Sequence, residues 1–179
     1  MFKKTLLTLL CLGSLAQAST YDVYGREMAF SQNNWKSYMN SIGHLGIEYQ
    51  NKILNMYSPE SRKRNPNGQK NFLHVDSIKT FKSAVSKKKN WGKVRPKVKK
   101  KYKANIVLEQ TKVIGATYTY TSWYRTPKLK YNSRTGERKG LRGKYRCDTF
   151  VYDVLVKGGR SKRYTILPKL LYNDIKKNH

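Results

Sequence analysis

Cys147-Asp148-Thr149-Phe150-Val151-Tyr152-Asp153-Val154-Leu155-Val156-Lys157, closed by Gly158-Gly159, is the stretch that decides how the chain is organised. Phe150, Val151, Val154 and Leu155 recur at helical spacing and predict one buried face. The glycine pair ends the helix. Cys147 therefore stands at the helix start, where backbone N–H groups lack intrahelical acceptors and carry partial positive charge. Both properties favour a thiolate, and the same N–H groups suit the oxyanion of a tetrahedral intermediate. Arg146 and Lys144 add positive charge nearby, and Asp148 opposes them.

Upstream, Ile42 to Tyr49 (IGHLGIEY) alternates as a strand, Gln50-Asn51-Lys52 has the composition of a hairpin turn, and Ile53 to Tyr57 returns. Pro59 to Gln69 is a charged loop with two prolines. Asn71 to Val75 predicts a third strand, and Asp76 or Ser77 caps a helix running to about Lys87 with Ile78, Phe81 and Val85 on one face. Trp91 to Val98 has strand alternation, and Pro96 restricts it to an edge or an end. Ala104 to Ile114 is a helix stopped by Gly115. Thr117 to Arg125 is aromatic and β-branched, Pro127 to Lys144 is a polar basic loop, and a short helix follows Pro168.

Residues 1–18 have the form of a secretory signal. Lys3 and Lys4 precede the apolar run Thr5 to Leu12, and Ala16-Gln17-Ala18 suits cleavage before Ser19. Residues 19–41 form a polar lead-in with a short helical stretch, and 42–175 form one domain. No other segment is apolar enough to span a bilayer. The full chain carries +28, and removing Lys3 and Lys4 leaves +26. Such charge bears on partners, not fold: peptidoglycan or another anionic envelope polymer, anionic lipid, or nucleic acid, with export arguing against an obligate nucleic-acid partner. No metal-ligand cluster is present in the pattern, so no cofactor is expected.

Of the two cysteines, Cys11 leaves with the signal, and Cys147 becomes an unpaired thiol in a compartment that favours disulfides. It is an inert buried thiol, a partner in an intermolecular disulfide, or a nucleophile. A nucleophile needs a base and a group to orient it. The chain has three histidines. His179 is terminal, His74 lies in a predicted strand, and His44 lies among glycines. Asn55, on the strand predicted to pair with that of His44, is the best orienter, with Glu48 a weaker alternative.

Together, Gly43-His44-Leu45-Gly46-Ile47, Ile53-Leu54-Asn55-Met56, Tyr145 to Tyr152 (YRCDTFVY), Leu155 to Gly159 and the late Leu167-Pro168 and Leu171 to Asp174 resemble the circularly permuted branch of the NlpC-type, papain-like cysteine peptidases. That branch includes YiiX/YaeF-like bacterial proteins and is similar to lecithin retinol acyltransferase. The resemblance spans about residues 42–175. It implies an α+β, papain-like fold: a small antiparallel sheet packed on helices, with the cysteine at the N-terminus of a late helix. It implies Cys147 as nucleophile, His44 as base and Asn55 at the third polar position, which varies in the family. A tyrosine often lines the family's site; Tyr118, Tyr120 and Tyr145 match this. Asp148-Thr149 stand where the family often has serine or glycine, and Thr126 to Lys144 has the character of a basic insertion.

Three functions compete. The leading expectation is an exported hydrolase of amide bonds in peptidoglycan stem peptides, periplasmic or secreted. The second is lipid acyl transfer or thioester hydrolysis on the same fold. The third is a non-enzymatic cationic binder, using Trp91, Trp123 and the interleaved tyrosines and lysines.

Overall fold

The Tyr49–Lys52 hairpin sets the register of the sheet. Gln50 and Asn51 both have positive φ, 52° and 59°, as the tightest two-residue hairpins require. They join β2 (His44–Tyr49) to β3 (Lys52–Met56). In this computed structural model the described residues are 21–27, 43–58, 72–131, 133–136, 138–160 and 167–178. The signal segment with Cys11, most of the lead-in, the Pro59–Gln69 loop and His179 lie outside them.

The fold is α+β. Five antiparallel strands stand in the order β4-β3-β2-β1-β5, with β1 at Val23–Arg26, β4 at Leu73–Asp76 and β5 at Asn90–Val94. β1 lies within the expected lead-in, so the domain begins before residue 42. It is four residues long and carries Gly25, too short for periodicity to reveal. β5 takes an edge, as Pro96 demands, and ends at Val94. Its Lys93 and Arg95 reach across to Asp22, which is 1% exposed.

α1 (Ile78–Ser83) is capped by the Ser77 side chain, which accepts from the Thr80 N–H at 2.9 Å. It ends before Val85, shorter than predicted. α2 (Lys101–Ile114) starts one turn earlier than predicted, within the basic run, and stops at Gly115. The expected basic loop contains a hairpin, β7 (Lys128–Tyr131) with β8 (Arg138–Leu141), and then β9 (Gly143–Tyr145). β9 pairs in parallel with β6 (Ala116–Tyr118). Short alternation within a lysine-rich stretch conceals these strands in the sequence.

α3 (Cys147–Lys157) and α4 (Pro168–Lys177) match their predicted starts, and α4 has proline in its first turn. α3 is buried on every side from Cys147 to Leu155, because it lies among the main sheet, α2, α4 and β9. Leu45, Ile47, Leu54 and Met56 face it and pack with Phe150, Val151 and Val154. The opposite face of the sheet carries Tyr24 and Ile53, covered by Phe81 of α1.

Gly43 precedes β2 with φ +93°, and a Cβ there would lie 1.9 Å from Trp91 Cη2. Gly43→Ala therefore combines a strained backbone with an overlap in a packed site. We expect a loss of about 3 kcal/mol in urea unfolding. A variant with the wild-type midpoint would show that the ring and strand accommodate the methyl.

Candidate active site

The alternation of β2 distributes the site between two faces. Leu45, Ile47 and Tyr49 belong to the core shared with α3. His44 and Gly46 point the other way. The His44 ring stacks on Phe81 at 5.7 Å, and a Cβ on Gly46 would meet Phe81 and Asn55. Gly46 pairs directly with Asn55 in the β2–β3 ladder, which puts the Asn55 side chain on the same face.

There His44 Nε2 and Asn55 Oδ1 are 2.8 Å apart, both residues buried. The orientation of the amide follows from its other end. Asn55 Nδ2 donates to Asp76 Oδ2 at 2.9 Å, with longer contacts to the His74 and Ile53 carbonyls at 3.4 Å. A carboxylate accepts only, so the amide nitrogen belongs there and the oxygen faces the imidazole. Nε2 must then carry the proton, which leaves Nδ1 as the basic nitrogen. Burial, reinforced by the charge of Arg26, pushes His44 down to about 3; the Asn55 bond works against both. The imidazole is neutral at pH 7.

Asn55→Ala removes this device. The Nε2–H loses its acceptor in a dry site, at a cost of about 1–3 kcal/mol, and the tautomer is no longer fixed. Nitrogen-15 spectra of the ring should change from a single Nε2–H form to a mixture. An unchanged tautomer would mean that Asn55 does not set it.

Cys147 is 5% exposed and opens α3. Its sulphur accepts from the backbone N–H groups of Leu45 and Asp148, which lower its pKa, but burial and the Asp148 charge dominate and push the thiol up to about 12. The expectation that the helix start yields a resting thiolate therefore does not hold for this closed arrangement: desolvation outweighs the N-terminal field. The N-terminus has its own cap, with the Arg146 N–H donating to Thr149 Oγ1 at 2.8 Å. Arg146 also grips Asp148 through both ends of the guanidinium, Nε to Oδ1 and Nη2 to Oδ2, each at 2.6 Å. That fork was not foreseen from the sequence, although Arg-x-Asp at a helix start is a readable signal for it.

Cys147 comes from the α3 side and reaches the Leu45 N–H, the peptide unit that follows His44. The imidazole leaves the same strand toward α1. Thiol and ring thus stand on opposite faces of β2, with no hydrogen bond between them. The structure brings His44 and Asn55 together and does not bring Cys147 to the ring. Glu48 is occupied elsewhere, accepting from the Tyr24 hydroxyl at 3.0 Å.

The three tyrosines separate. Tyr118 is partly buried, and burial with the nearby Cys147 and Asp148 pushes its phenol far above the usual range. Tyr120, 54% exposed, meets Tyr118 edge to face at 5.1 Å. Tyr145 is fully buried, and its hydroxyl donates to Asp153 Oδ2 at 2.6 Å.

No known protein family, curated protein or solved structure matches this chain. Among the described residues, no group of three or more His, Cys, Asp or Glu is placed to hold a metal ion, and no helix is long and apolar enough to cross a membrane.

Proposed function

We propose that the protein is an exported cysteine hydrolase of amide bonds, acting on peptidoglycan stem peptides through Cys147, with His44 as base and Asn55 as its orienter. The observation that carries this reading is the Asn55–His44 pair with the tautomer fixed, on the strand whose next residue, Leu45, turns its N–H to a thiol at a helix N-terminus. The resemblance to permuted NlpC-type, papain-like enzymes agrees with that order of parts. Export rests on the form of residues 1–18, and the charge of +28 suits an anionic wall polymer.

The reaction requires His44 Nδ1, which rests on the α1 side of β2, to come within hydrogen-bond reach of the Cys147 sulphur and take its proton. The thiolate attacks the amide carbonyl carbon. The tetrahedral oxyanion is stabilised by N–H groups at the start of α3. The protonated imidazole returns its proton to the leaving amine, and the C–N bond breaks to leave a thioester. Water, deprotonated by His44, then releases the acid. Asn55 sets the tautomer that leaves Nδ1 as the basic nitrogen.

The test is incubation of purified sacculi with the full-length protein and its Cys147→Ala variant, with products identified by mass spectrometry. New amine and carboxyl termini from the wild type alone support the reading. Undiminished cleavage by the variant, or no cleavage by either, sinks it.

A second reading, a non-enzymatic cationic binder, draws on Trp123. It is 62% exposed with Lys144 Nζ 5.5 Å above its ring. Trp91, by contrast, is covered by Lys169 and Tyr172. Binding of single-stranded nucleic acid that is lost in Trp123→Ala, with no cleavage of sacculi, would favour this reading.

A further inference from the structure

Arg26 ends β1 directly opposite His44 in the β1–β2 ladder, so the two side chains emerge on one face. It is 2% exposed, among the largest fully buried side chains of the protein. Arginine is almost never buried this far without an anionic partner, because stripping water from a guanidinium costs several kcal/mol. Among the described residues it makes no ion pair. Nη1 donates to the Glu27 carbonyl at 3.3 Å and Nη2 to the Tyr57 hydroxyl at 3.2 Å, both long and both to neutral acceptors. The guanidinium carbon lies 4.9 Å from the centre of the Phe81 ring. Among the described residues, Nε is buried with no acceptor.

The Asp76 carboxylate on this face is otherwise engaged. Asp76 Oδ2 accepts from Asn55 Nδ2 at 2.9 Å and from the Tyr57 hydroxyl at 3.4 Å. The fold thus holds a cation beside the imidazole, with one donor unused. The groups facing His44 are Arg26 from β1, Asn55 and Tyr57 from β3 and its end, His74 and Asp76 from β4, and the uncharged Phe81 from α1. Arg26 is the only fully buried cation among them.

We infer that Arg26 is a specificity residue that binds a carboxylate on the substrate, next to the bond presented to His44. The inference rests on the hydrolase reading and narrows it. A planar carboxylate matches the Nε edge of a guanidinium and satisfies the unused N–H. Arg26 stands cross-strand from His44, so the bound carboxylate lies beside the base. The substrate is then a peptide with a free carboxylate close to the cut. The bound anion also offsets the Arg26 charge felt by His44 and strengthens the imidazole as a base when substrate is present.

The experiment uses full-length Cys147→Ala protein, which binds without turnover. N-acetyl-alanyl-alanine, in L,L and D,D forms, is titrated calorimetrically beside its C-terminal amide. The acid of the preferred form should bind about tenfold or more tightly than the amide. Arg26→Gln should abolish that preference, and the bound acid should raise the pH at which the His44 ring titrates by nitrogen-15 NMR. Equal binding of acid and amide, or binding of neither at millimolar concentration, overturns the inference even if sacculi are cleaved. Acid-selective binding that depends on Arg26, in a protein that cleaves nothing, keeps the carboxylate site and removes the hydrolase reading. If Arg26→Gln does not fold, the acid-against-amide comparison in the Cys147→Ala background decides alone.

Discussion

Cys147→Ala should lose turnover of stem-peptide amides by about 10^4-fold or more while the protein stays folded. The two halves of that expectation have different origins. The loss follows because no other described thiol exists and because water attacking directly lacks the covalent step. The tolerance follows from size. Removing one sulphur from a 5% exposed position costs on the order of 1 kcal/mol and leaves the Leu45 N–H without its acceptor. Helix α3 keeps its Thr149 cap and the Arg146–Asp148 fork, neither of which involves the thiol. Initial rates on sacculi, with thermal melts of both proteins, check the two halves. A large fall in melting temperature would assign Cys147 a structural role instead.

The second large effect is on stability against acid. His44 is pushed down to about 3 by burial first and Arg26 next, whereas the unfolded chain takes up its proton near 6.5. A depressed folded pKa contributes stability that is complete above the unfolded value and is lost as pH falls toward the folded one. The window is therefore about pH 6.5 down to 3, and the full loss is on the order of 5 kcal/mol. His74, also lowered by burial, adds in the same direction. Asp153 acts oppositely: burial raises its pKa, so its contribution improves as pH falls. Comparing wild type with His44→Gln separates these, since glutamine can still donate to Asn55 but does not titrate. Urea midpoints from pH 7.5 to 4 should fall more steeply for the wild type. Parallel slopes would mean that His44 takes up its proton without unfolding the protein.

The parts of the fold with strong local signals are readable in the chain. Gln50-Asn51 between apolar runs fixes a hairpin and its register, and that register alone brings Asn55 to the histidine face. Gly158-Gly159 and Pro168 mark helix boundaries. Strand β1 is hidden because four residues with a glycine carry no periodicity, and with it Arg26 stays out of view. The β7–β8 hairpin is masked by lysines that keep both of its strands polar. The division of the site was written in β2 all along. Leu45, Ile47 and Tyr49 are its apolar set and must face the helices, which sends His44 to the other side. What no pattern conveys is desolvation. The sequence places charge and dipole around Cys147, while only the packing of α3 reveals that burial overrides both.

The covered, uncharged thiol has a consequence for survival as well as for reactivity. Peroxides and small disulfides attack thiolates that they can reach. Cys147 offers neither the charge nor the access, so it resists such oxidants with no disulfide partner among the described residues. Exposure of the sulphur, and not a change of pH, therefore sets its oxidative vulnerability.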